Sequence, residues 1–173
     1  MATEFDRIQA RVQAIFGKVD ETVLVVLKGH LLIEELLDEI IRKFIFHAVY
    51  LDSARLSFFQ KLQVARSMSL DEHSNGMWEI AVRLNSLRNE LAHALDSPKR
   101  NPKTQAVVEA YFAEANEDGH LALLRDKEEH VVLAFAVGYF IGFLHGFKSE
   151  AERFREFVDG VDTIINPHRH RPE

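Results

Sequence analysis

The chain contains no cysteine. That absence removes disulfides, thiolate nucleophiles and cysteine-ligated zinc, and it makes a reducing cytoplasm the expected compartment. Proline is scarce, with four in 173 residues and none before Pro98, and glycine numbers only eight. So long a proline-free stretch argues against a turn-rich β architecture and favours helices. No alternating strand pattern, internal repeat or glycine-rich phosphate loop is present, which excludes a P-loop nucleotide hydrolase. The opening Met1-Ala2-Thr3-Glu4-Phe5-Asp6 lacks a basic stretch followed by an apolar one, so no signal peptide is expected. An excess of positive charge is missing as well. With a formal net charge of −6 the chain does not read as a general nucleic-acid coat, because phosphate neutralisation supplies most of that affinity; a local basic site stays open.

What is present is apolar residue in helical spacing. At 47% hydrophobic and 173 residues, the chain is large enough for one domain with a real core. The expectation is a compact all-α bundle of six or seven helices over residues 1–165, followed by a disordered basic, histidine-containing tail over 166–173. Thr3 caps a first helix running to Phe16, and Gly17 ends it. Asp20 caps a long one reaching about Phe46. Asp52 or Ser53 introduces a third, and Asp71 to Gly76 is a polar break. A fourth runs from Met77 to Leu95, and Asp96 to Lys103 is a loop containing Pro98 and Pro102. A helix over Thr104 to Ala115 and a turn at Asn116 to Gly119 follow. A glycine-bearing helix then starts near Asp126 and either continues or breaks into Ala151 to Val158.

That last helix needs testing as a membrane span. Val131 to Leu144 is almost continuously apolar, and Gly138, Gly142 and Gly146 recur every fourth residue, a pattern of close helix packing. The apolar run is short of the roughly 20 residues a bilayer requires, and charged residues bracket it, so a core or interface helix is expected and no membrane.

Two expected helices carry polar residues inside apolar stripes. On the long one, Val23, Val26, Leu27, Leu37, Ile40, Ile41 and Phe44 share a face, yet His30 and Glu34 fall near its middle. A buried carboxylate needs a cation, and Arg88 on the fourth helix is the expected partner of Glu34. On that fourth helix, Arg88 lies in the stripe while Asn85, Asn89 and His93 follow its edge. Elsewhere, His120, His130 and His145 have no spacing that suggests a common metal site, and His168-Arg169-His170-Arg171 reads as a solvated terminus.

The string Ser86-Leu87-Arg88-Asn89-Glu90-Leu91-Ala92-His93 resembles the motif of the HEPN superfamily: an arginine, a polar residue, then a histidine with four residues between Arg88 and His93. The preceding order, a long helix through Gly29 to Leu37 and a shorter one through Leu56 to Leu62, also resembles that family and its mannitol operon repressor branch. The resemblance covers roughly Asp20 to Leu95. It implies a HEPN-like core and, in catalytic members, metal-independent RNA cleavage without a cofactor. His93 would take a proton from the ribose 2′-hydroxyl or deliver one to the leaving oxygen, with two motifs paired in a dimer cleft to supply both roles; Arg88 would stabilise charge on phosphorus, and Asn89 would orient the imidazole or hold a phosphate oxygen. His30, Glu34 and Asn85 would support the site, and Lys99, Arg100 and Lys103 would form a phosphate-attracting rim. Where many family toxins have a tyrosine two residues after the histidine, this chain has Leu95. The repressor branch implies a regulatory or interaction domain instead. Expected partners are a second copy forming a homodimer, RNA, and an antitoxin or regulatory protein.

Overall fold

The structure, a computed structural model, describes residues 4, 6–10, 20–69, 76–93, 97–115 and 120–170. Residues 6–10 are helical. Seven further α-helices follow: α1 (Glu21–Phe44), α2 (Ala48–Ala54), α3 (Phe58–Ser67), α4 (Met77–His93), α5 (Arg100–Glu114), α6 (His120–Leu124) and α7 (Glu129–Ile165), with a 3-10 turn at Pro167–His170. No strand occurs among the described residues, and the fold is all-α, as the composition implied. The expected cap at Thr3, the stop at Gly17, the break over 71–75, the turn over 116–119 and the residues Leu95 and Asp96 lie outside the described residues.

The Asp20 carboxylate caps α1 by accepting from the Val23 amide, at 3.1 Å. The helix stops at Phe44, two residues short of expectation. The helix expected from Asp52 is in fact two: α2 ends on Arg55 in a left-handed conformation, φ 50°, and the chain restarts at Ser57. Ser57 and Gln60 form a capping box that fixes the start of α3. The loop expected over 96–103 is shorter than its prolines suggested. α5 starts at Arg100, and Pro102 sits in its first turn, where an amide has no intrahelical acceptor to lose. α7 does not break at Ala151 but runs unbroken for 37 residues. The tail is ordered as far as it is described: Arg169 and Asn166 both bond the Asp162 carboxylate and hold the 3-10 turn.

α1 and α7 pack in parallel. Thr22 donates to Glu129, Lys148 meets Glu39 at 2.6 Å and Lys43 meets Glu152 at 3.1 Å, so the two advance in step. Close approach is set by Gly29, where an added Cβ would lie 2.7 Å from Val137. Gly138, Gly142 and Gly146, by contrast, face open space with nothing within 4 Å of such a Cβ. Among the described residues, therefore, the glycine ridge is not a packing surface.

α5 runs parallel to this pair, with Tyr111 against Tyr139, and α4 runs antiparallel to α5, with Lys103 bonding Glu90. α3 closes the side of α1 and α4. The core gathers Val26, Ile33, Leu37, Ile40, Leu84 and Phe140 at its centre, with Trp78 set edge-on among Phe140, Phe143 and Phe147. Trp78 is fully enclosed, which decides its role as core. α7 is long and apolar enough to cross a membrane by length and composition; here Leu133, Val137, Phe140 and Leu144 on its inner side are core residues.

Candidate functional site

The motif occupies the last turns of α4, at the end of the bundle where α1, α5 and α7 begin. The antiparallel course of α4 places it there. His93 is exposed, and among the described residues it has no hydrogen-bond or ion-pair partner. Asn89, one turn earlier, is also exposed. Arg88 is half-buried, and its guanidinium donates to the Asn89 side-chain oxygen at 3.2 Å.

Arg88 does not pair with Glu34. The cation that meets Glu34 is Lys61 from α3, at 2.9 Å, and Lys61 also reaches Asp38 at 2.7 Å. Burial alone would lower the Lys61 pKa; the hydrogen bonds it donates to Asp38 and Glu34 outweigh that and hold the pKa above the ordinary value. The reason for the mismatch is azimuthal. The buried stripe of α1 is centred on Val26, Gly29, Ile33 and Leu37, so Glu34 lies at its edge beside α3 rather than deep against α4.

Of His30 and Glu34, His30 is the one enclosed, at 4% exposure. Its ring stacks on Phe58, with centroids 3.9 Å apart, and its Nε2 lies 3.2 Å from the Asn85 oxygen. Nδ1 is 4.0 Å from the Glu34 carboxylate. Desolvation lowers the His30 pKa, opposed by the Asn85 bond; the Arg88 charge lowers it further and Glu34 raises it. The geometry therefore links the expected supporting residues to one another: His30 to Asn85 by a bond, and His30 to Glu34 by proximity. Phe58 and Lys61, which hold the group from α3, were not singled out from sequence. The Ser57-x-x-Gln60 capping signal starting that helix was the available clue.

The expected cationic rim is largely neutralised. Arg100 forms a two-pronged bond with Asp20, which lowers the Asp20 pKa and ties the start of α5 to the start of α1. Lys103 bonds Glu90 at 2.6 Å and the Ser86 carbonyl at 3.2 Å. Glu90 also accepts from Ser97, and these bonds, Lys103 first, hold its pKa below the ordinary value. Lys99 remains exposed at the N-cap of α5, without an ion pair among the described residues.

A second cluster at the same end was also missed. His130 lies 2.8 Å from Glu21 and 3.5 Å from Glu128, and donor atoms of all three come within 4.8 Å of one another. The adjoining N-termini of α1 and α7 present positive dipole ends, which these carboxylates complement. That makes the group an ion-pair knot between two helix starts. Two surface clefts, of about 280 Å³ beside Glu79, Arg83 and Glu109 and about 170 Å³ beside Arg42, Arg55 and Lys61, contain no motif residue. Comparison with known proteins gives no further anchor: no family model, curated protein or solved structure matches the chain.

Proposed function

We propose that this chain is a HEPN-like regulatory or protein-interaction domain that works by binding, in a cytoplasmic setting, with a regulatory protein as its partner. The observation that carries this reading is the neutralised rim. Asp20 and Glu90 take up Arg100 and Lys103, so the surface around His93 lacks the concentrated positive charge that would draw in a polyanion. The net charge of −6 points the same way.

A second reading, a metal-independent endoribonuclease of the toxin kind, is favoured by a different observation. His93 is exposed, and Arg88 is not locked in a core ion pair but sits beside Asn89. In that reading His93 serves as the proton carrier and Arg88 as the stabiliser of phosphorane charge, leaving a 2′,3′-cyclic phosphate and a 5′-hydroxyl.

Incubating the purified protein with varied RNAs in EDTA separates the two. The first reading predicts intact RNA. Cleavage by wild type that disappears in His93→Ala would replace it with the second, and cleavage that survives the substitution would exclude His93 as the agent.

A further inference from the structure

The bundle ends before its longest helix does. Along the inner face of α7, Leu133, Val137, Phe140, Leu144, Phe147 and Ala151 alternate at spacings of four and three, and all are buried. This is the 3.5-residue period of a helix seam. The same spacing continues without interruption through Phe154, Val158, Val161 and Ile165.

The covering helices do not continue with it. α1 stops at Phe44, whose ring is 5.4 Å from Phe154. The following residues reach only one turn further: Arg155 donates to the Ile45 carbonyl and lies 4.2 Å over the Phe46 ring. The 3-10 turn folds back onto Asp162, on the flank of the helix. Phe157, Ile164 and Ile165 are left 68%, 81% and 68% exposed.

We propose that the C-terminal turns of α7, from Phe154 to Ile165, pair antiparallel with the same segment of a second copy of this chain. Two features of the segment select that occupant. A two-fold axis between Asp159 and Gly160 sets Phe154 opposite Ile165 of the second copy, and Val158 opposite its Val161, so every seam residue meets an apolar one. The flanks match as well. On one side Phe157 comes beside Ile164 of the second copy; on the other Arg155, which its own Asp159 already pairs, comes beside Asp162, which Arg169 already pairs, so no like charges are opposed. A parallel pair would instead set the Asp162 carboxylate against Phe157. The seam is also the direct extension of the one that holds α7 in its own bundle, so the second copy takes over where that bundle stops.

The paired segment is about 18 Å long at 1.5 Å per residue, a small interface, so the dimer is reversible. The surface lies at the end of the molecule remote from His93. Roughly 45 Å of α7 separates the axis from the motif end, so this dimer holds the two motifs apart. A catalytic pairing of two motifs would need a different surface, so this interface is separate from that reading.

Sedimentation equilibrium of the full chain tests the association. The weight-average mass is expected to rise from 19.9 kDa towards twice that value with increasing concentration. Phe157→Glu combined with Ile164→Glu, both at exposed positions, should return it to the monomer with an unchanged thermal melt. Because the chain has no cysteine, orientation can be read by short thiol cross-linking. A mixture of Phe154→Cys and Ile165→Cys proteins should cross-link, and neither should do so alone. A wild type that stays at 19.9 kDa, a double glutamate variant that still dimerises, or cross-linking of Phe154→Cys to itself overturns the proposal. So does a monomer that binds anionic vesicles through this face.

Discussion

At His30, burial removes the water that would stabilise an imidazolium, and the Arg88 guanidinium nearby repels one. The ring nevertheless keeps two useful contacts, the stack on Phe58 and the bond to Asn85. Its folded-state pKa lies below the ordinary value of about 6.5, so the unfolded chain binds the proton more readily. The stability His30 contributes is therefore complete above about pH 6.5 and is lost as pH falls from there towards the depressed folded value. Thermal melts between pH 7.5 and pH 5 should show the midpoint dropping through this window. His30→Gln, which keeps a donor towards Asn85 without titrating, should melt lower at neutral pH but with a flatter profile. Identical slopes for the two proteins would assign the acid sensitivity to other groups.

Among the elements, glycine marks the difference between a pattern and its use. Gly29→Ala removes a helix-weakening residue, a change worth up to about 1 kcal/mol in its favour. It also drives a methyl group to 2.7 Å from Val137 across the α1–α7 contact. Overpacking of that kind costs about 1–3 kcal/mol, so net destabilisation is expected. Gly142→Ala meets open space and should stabilise by about 0.5–1 kcal/mol. Denaturant midpoints measure both, and a Gly142→Ala loss of stability would reveal a partner on the glycine ridge. From sequence, the ridge marked a close helix approach either within the chain or across a dimer, because every-fourth spacing reports a shared face but not what that face meets. The same limit explains Glu34. The wheel placed His30 in the buried stripe correctly, but Leu24, Leu27, Leu31 and Leu32 make α1 apolar on nearly all sides, which rotated the inferred stripe away from Gly29 and Ile33 and drew Glu34 into it. The all-α class, the Asp20 cap and the presence of α4 and α7 were legible because local propensity and period decide them. The partner of Glu34 was not, since it depends on a contact between separate elements; the α2–α3 break was missed although the Ser57-x-x-Gln60 capping box marks it locally.

For the molecule as a whole, electrostatics at the motif end decides which proposed activity is accessible. Three cations follow the motif closely in sequence, and reading them as a rim treated them as free. Folding instead brings Asp20 from the start of α1 onto Arg100, while Glu90, within the motif itself, takes Lys103. Two of the three cations thereby tie α5 to its neighbours, and Lys99 alone is left exposed without an ion pair among the described residues. Releasing them tests that account. Asp20→Asn keeps an N-cap side chain for α1, and Glu90→Gln keeps an acceptor for Lys103 and Ser97. Together they move the net charge from −6 to −4, all of the change falling at the motif end of the bundle. The double variant should bind a labelled single-stranded RNA more tightly than wild type at low salt. If the freed Arg100 and Lys103 each engage one phosphate, the slope of log affinity against log salt should steepen by about 1.4. Fluorescence anisotropy across a salt series reads both effects. Wild-type protein that already binds with a steep slope, unaltered in the variant, would mean that RNA approaches through Lys99 and Arg88 regardless of the two ion pairs, and the neutralised rim would no longer argue against the ribonuclease reading.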